Sequence, residues 1–244
     1  MRIILKLKSS TTFSIKFEYH SKIQGFLYSI LKNTSFDYLH DKKGFKFFSF
    51  SNIFKVKDNN LFNLIISSPS SKLIREIAYH LQKIRENNIP LEIGNTFVLE
   101  TFTILNYNLS FPIKIITASP IIIRIPLKRF SEYSEKSNPY NMIYWRDSYP
   151  LDLFIEFLEL NLKKKYYEFS NYKIKDRIFE QFTFKKQVST RILIGNRFIP
   201  IIGSLWEFCF FKHISQDFQL FALDCGLGER NSMGFGFMNP IKEK

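Results

Sequence analysis

Residues 61–87 read LFNLIISSPSSKLIREIAYHLQKIREN, and the period of the apolar residues changes half-way along. The first six, LFNLII, are an apolar run of strand type. Beyond Pro69, Ser70 or Ser71 caps a helix that carries Leu73, Ile77, Leu81 and Ile84 on one face. Working outward, MRIILKLK reads as a short strand, and residues 20–32 place Ile23, Leu27, Ile30 and Leu31 on one helical stripe. SFDYLH is a brief helical turn capped by Ser35, and FKFFSF, residues 45–50, is a strand. LEIGNTFVLE, residues 91–100, closes the series as one more strand. The order is strand, helix, strand, strand, helix, strand, as in a split βαβ unit.

A second round follows. KIITASPIIIRI supplies strand-like segments around Pro120, and Pro150 opens a helix with Leu151, Phe154, Ile155, Leu158 and Leu162 as its stripe. RILIGNRFIPI sets two apolar runs about Gly195 and Asn196, a two-residue hairpin signal. LWEFCFFK reads as a further strand, SQDFQLFALDCG as a helix stopped at Gly226, and GFGFMNP as a last short strand. Residues 128–149 lack a period and read as a long surface loop. The expected fold class is α+β: two tandem ferredoxin-like (RRM-like, βαββαβ) domains, residues 1–110 and 111–244, with a glycine-rich loop near the C-terminus.

Apolar residues make up 45% of the 244, enough for a globular core, and the net charge is +13. Both halves are net positive, so a polyanion, and nucleic acid first, is the expected partner of either. An AT-rich genome would also enrich Lys, Ile, Phe and Asn. Cys209 and Cys225 are too few and too far apart for a CxxC zinc site and read as buried apolar residues. MRIILKLKSS is not a signal peptide, and no run approaches the roughly 20 apolar residues of a membrane span, so the expected location is the cytoplasm, with no membrane association.

No HExxH, GxxxxGKS, GxSxG or GGDD-like acidic pair occurs, and no cofactor or metal is expected. GLGERNSMGFGF, residues 226–237, follows a helix and has no P-loop lysine, which argues against dinucleotide and P-loop readings. Two readings of it remain: an ordinary turn, or exposed N–H groups beside Arg230 that suit a phosphate backbone. Among the four histidines, His80 and His213 read as structural. His40, in YLHDKKGFK, lies near Lys42, Lys43 and Lys46, and His with Lys can supply the acid, base and cation of a metal-free reaction on RNA. Tyr28 falls on the polar face of the first helix and either has no role or orients a substrate.

YHSKIQGFLYSIL, YLHDKKGFKFFSFS, TASPIIIRI and GLGERNSMGFGF together resemble the CRISPR repeat-processing endoribonucleases of the RAMP superfamily, archaeal type, across essentially the whole chain. The resemblance implies metal-independent cleavage of precursor CRISPR RNA within each repeat, leaving a 2′,3′-cyclic phosphate and a 5′-hydroxyl. It implies Tyr28, His40 and Lys46 as catalytic residues: His40 as acid or base, Lys46 for the charged transition state, Tyr28 for positioning. His20 stays a second candidate for the histidine. The implied RNA contacts are Lys42, Lys43, Arg191 and Arg197, with Gly226, Gly228, Arg230, Gly234 and Gly236 of the loop, which in the family braces the second domain against the RNA cleft. Lys55 and Lys57 would extend the basic rim, and Tyr144 and Trp145 either stack on bases or belong to the core. The implied partner is CRISPR repeat RNA or precursor crRNA, bound by a monomer or a homodimer. The rival readings are a non-catalytic RAMP-type subunit of a CRISPR interference complex and a general single-strand RNA chaperone.

Overall fold

Strand β1, Arg2–Ser9, buries Ile3, Leu5 and Leu7 while Lys6 and Lys8 face water, so it is amphipathic with period two. In a computed structural model that describes residues 1–9, 19–56, 60–105, 107–130, 142–194 and 197–241, this strand lies at the centre of the first sheet. Helix α1 is Tyr19–Leu31, β2 Ser49–Phe50, β3 Phe54–Lys55, β4 Leu61–Ser67, α2 Ser71–Glu86, β5 Leu91–Glu92 and β6 Thr96–Leu105. The sheet runs β2-β4-β1-β6-β5, with β3 also on β4, and every pairing is antiparallel. Ile23, Leu27, Ile30 and Leu31 of α1 and Leu73, Ile77, Leu81 and Ile84 of α2 fill one core with the inner face of β1. Ser70 caps α2 by accepting the Leu73 N–H at 3.3 Å.

The second round repeats this order. It comprises β7, Lys114–Thr117; α3, Leu151–Ser170; β10, Phe179–Ile194; β11, Arg197–Phe210; α4, Gln216–Cys225; and β12, Met238–Pro240. Its sheet runs β10-β11-β7-β12. A separate ribbon of β8, Arg124–Pro126, and β9, Met142–Tyr144, is inserted after β7. The α+β class and the two ferredoxin-like units are therefore present, each with a core of its own. Cys209 and Cys225 are buried and not joined in a disulfide, and no described helix is long and apolar enough to cross a membrane.

Several expectations need correction. Only Ser49–Phe50 of FKFFSF pair, because Phe47 takes φ +54° and breaks the strand ahead of them. LEIGNTFVLE is two strands folded back at Gly94, φ +91°, where a Cβ would meet that of Tyr19 at 2.6 Å. Ser35 caps nothing: the turn Asp37–Leu39 begins at Phe36, whose N–H goes to Thr34 Oγ1. LWEFCFFK is no separate strand, since β11 continues unbroken from Arg197 to Phe210. Leu151 is exposed, so the α3 stripe is Phe154, Leu158 and Leu162, with Ile155 partly buried against the same core. Within residues 128–149, Met142–Tyr144 form a strand and Trp145 is 4% exposed against Phe154 and Trp206, which places it in the core. Residues 131–141, the turn Gly195–Asn196 and Lys57 lie outside the described residues.

Candidate active site

Helix α1 ends at Leu31, and after the turn Asp37–Leu39 the chain passes His40 and reverses at Gly44, φ +91°. The reversal returns Lys46 to the helix. Its ammonium donates to the Tyr28 hydroxyl at 2.7 Å and to the His40 carbonyl at 2.9 Å, and sits 4.6 Å from the centre of the Tyr28 ring. The Tyr28 and His40 rings meet edge-on at 5.2 Å. The three residues implied by the resemblance thus converge, with Tyr28 half-buried against Phe48 and His40 exposed.

Two residues missed in the sequence complete the arrangement. Gln24, one helical turn before Tyr28, donates to its hydroxyl at 3.2 Å. A phenol oxygen has two acceptor positions, and here Lys46 and Gln24 fill both, so the Tyr28 O–H remains free to donate to a ligand. Asp41 lies with Oδ1 2.6 Å from His40 Nδ1. An Nδ1–H donated to that carboxylate leaves Nε2 as the nitrogen that can exchange a proton. The i, i+4 spacing of Gln24 and the adjacency of Asp41 were the available signals.

Two recesses adjoin these residues, Tyr28 and His40 lining one and Lys46 the other. One, of about 370 Å³, is lined by Tyr28, Lys32, Asp37, His40 and Asp41. The other, of about 470 Å³, is a cleft between the two units, lined among others by Gln24, Lys46, Arg124, Asn161, Arg230 and Ser232. Arg124 on β8 is held by Glu229, Nε to Oε2 at 2.6 Å, so a guanidinium is fixed at the cleft wall.

The glycine-rich loop forms the far wall, and three of its four glycine amides are spent inside the protein. Gly226, Gly228, Gly234 and Gly236 are buried, all with φ between +65° and +83°. The N–H groups of Gly226, Gly234 and Gly236 donate to Ala222, Asn231 and Pro120 carbonyls. A phosphate cannot reach donors already used inside the protein. The glycines are there because side chains would not fit: a Cβ on Gly228 would lie 2.5 Å from the Ile122 oxygen. The loop presents Arg230 and Ser232 instead, both half-buried at the cleft.

The other expected contacts divide. Lys43, Lys55, Arg191 and Arg197 are exposed, the last two on the paired strands β10 and β11 near Phe198, which is 54% exposed. Lys42 instead pairs with Glu168 at 3.1 Å and lies over the Phe47 ring, joining the two units. Tyr144 is half-buried. His20 is 9% exposed, its Nδ1 2.8 Å from the Met233 carbonyl and its ring stacked on Phe235 at 5.1 Å. Burial pushes its pKa down to about 4, against the pull of the Met233 carbonyl. His20 fastens α1 to the loop, and His40 is the histidine beside Tyr28 and Lys46.

The family model described as CRISPR associated protein Cas6, C-terminal, matches residues 108–240, more than half of the chain. The chain belongs to the Cas6 family. A protein named CRISPR-associated endoribonuclease Cas6 2, from Methanocaldococcus jannaschii, is 34% identical over 99% of this chain and 100% of its own length. CRISPR-associated endoribonuclease Cas6 of Haloferax mediterranei is 25% identical over 100% of this chain and 94% of its own. A solved structure titled CRISPR associated protein Cas6 superposes with a TM-score of 0.73 at 24% identity, covering 99% of both chains. The two-unit fold is thus shared end to end.

Proposed function

We propose that this chain is an endoribonuclease that binds CRISPR repeat RNA and cuts precursor CRISPR RNA within the repeat by metal-independent transesterification. The observation that carries the proposal is the meeting of Lys46, Tyr28 and His40, drawn from a helix and the connection after it, with Lys46 also on the wall of a cleft lined by Arg124 and Arg230. Two full-length relatives named endoribonucleases support the reaction class.

The 2′-hydroxyl attacks the adjacent phosphorus, the bond to the 5′-oxygen breaks, and the products carry a 2′,3′-cyclic phosphate and a 5′-hydroxyl. One proton leaves the 2′-oxygen and another reaches the departing 5′-oxygen. His40 Nε2 exchanges one of them as acid or base, oriented by Asp41. The Lys46 ammonium, held by Tyr28, stabilises the negative charge that gathers on the non-bridging oxygens. The Tyr28 O–H, with both acceptor positions filled, donates to the phosphate and fixes its position.

The test is cleavage of the cognate repeat RNA in EDTA, with product ends mapped. His40→Ala and Lys46→Ala should each lose on the order of 10²- to 10⁴-fold in single-turnover rate while still binding. A 2′-deoxyribose at the cut position should abolish cleavage. A requirement for magnesium would remove the mechanism, and a wild-type protein that binds the repeat but never cuts it would be an RNA-binding subunit.

A further inference from the structure

Lys165 takes no part in the chemistry above, yet it is 1% exposed and lies directly behind the cleft. Its ammonium donates to the Gly226 carbonyl at 3.0 Å, to the Gly228 carbonyl at 2.6 Å and to Asn231 Oδ1. An ammonium has three N–H groups, and all three are spent on the glycine-rich loop. No carboxylate of the described residues lies within ion-pair distance of it, and the groups that accept its three N–H bonds are neutral loop oxygens. Burial lowers its pKa to about 8, with Cys225 and then Glu229 pulling the other way. The far end of the Asn231 side chain donates to the Leu227 and Phe235 carbonyls, both at 2.9 Å. Lys165 and Asn231 therefore close the loop upon itself.

The next residue, Ser232, reaches the first unit. Its Oγ accepts from Gln24 Nε2 at 3.3 Å, and the same amide donates to the Tyr28 hydroxyl that Lys46 also holds. An amide nitrogen has two hydrogens, enough for both bonds. A continuous path thus runs from a lysine buried in the second unit to the two groups assigned to the phosphate in the first.

We infer that Lys165 and Gln24 are positioning residues: Lys165 sets the loop that places Ser232, and Gln24 transmits that placement to Tyr28 and Lys46. The inference rests on the reading of Tyr28 and Lys46 as reacting groups. It explains why a tandem fold is needed for chemistry whose three side chains all belong to one unit.

Gln24→Ala and Lys165→Met should each lower the single-turnover cleavage rate by about tenfold while repeat affinity stays within about twofold, as for reacting groups out of place on a substrate still held. The double variant should be no slower than Lys165→Met alone, because both changes cut one path. Losses that multiply, or affinity that falls in step with rate, would overturn the inference. Should Lys165→Met not fold, Ser232→Ala interrupts the same path and carries the same expectation. A 3-fluorotyrosine at position 28 gives a readout that needs no cleavage. Its ¹⁹F resonance in RNA-free protein should move in Gln24→Ala and in Lys165→Met or Ser232→Ala, and a resonance unmoved by the loop variants would overturn the inference. A wild type that does not cut would sink the endoribonuclease reading and leave this measurement to decide the path.

Discussion

His20 and His40 carry the same imidazole, and their surroundings divide the labour between them. The His40 ring is exposed, with Nδ1 against Asp41. His20 is buried, and as a neutral ring donates Nδ1–H to the Met233 carbonyl. Its folded pKa of about 4 lies below the ordinary 6.5, so between these values the unfolded chain binds more protons than the folded one. Stability is therefore full above about pH 6.5 and falls as pH drops toward 4, by about 3 kcal/mol in total. Urea denaturation at pH 7 and pH 4.5 should show most of that loss in the wild type and a smaller one in His20→Gln. Equal losses in the two proteins would show that His20 is not the group responsible.

For whole elements, the glycine-rich loop and helix α1 make opposite demands on glycine. A Cβ on Gly236 would stand 1.9 Å from the Leu227 oxygen, at φ +65°, where no neighbour can give way without moving backbone. Gly236→Ala should cost about 3 kcal/mol or more, read as a large fall in Tm. Gly25 on α1 has nothing within 4 Å of its Cβ position and no positive φ. Gly25→Ala should stabilise the protein by about 0.5–1 kcal/mol, since alanine is the better helix former. Should the two variants melt alike, steric demand would not be what keeps glycine in the loop. In β10, register shifts between Phe179 and Gln181 and between Phe184 and Lys186 break the period of two, which hides the first half of the strand from a reading by alternation.

In the molecule as a whole, part of the excess positive charge is exposed and part lines the cleft. A net +13, with Arg191 and Arg197 on an exposed hairpin and Arg124, Arg230 and Lys46 at the cleft, makes binding a matter of counterion release. Log affinity for the repeat should fall linearly with log salt, with a slope of about −0.7 for each phosphate neutralised. Replacing Arg191 and Arg197 together by alanine should flatten that slope by about 0.7 for each phosphate the hairpin no longer neutralises. Lys42→Ala should change it less, because Lys42 is already paired with Glu168. An unchanged slope in the arginine variant would take the hairpin out of the RNA path. The units are also joined away from the cleft, where Arg2 donates to the Leu223 carbonyl at 2.8 Å and pairs with Asp224 at 3.5 Å.

Helix α2 was legible because its stripe, its serine cap and its length all agree, and each is a local property. The repeated order of strands and helices could be read for the same reason, and the basic charge is a matter of counting. His40 with its neighbouring lysines, and Tyr28 on the polar face, stand out among the residues, but joining Tyr28, His40 and Lys46 as one trio took the resemblance, since no period links residues whose contact depends on a reversal at Gly44. Nothing local marks Lys165, one of three successive lysines, as the buried one, because its partners lie about sixty residues further along the chain. Order, caps, charge and amphipathic faces belong to the sequence, since they arise from neighbours a few bonds apart. Which amides are free, which histidine is buried and which lysine holds the loop were decided only when the two units packed, because burial and long-range hydrogen bonds exist only in the folded chain.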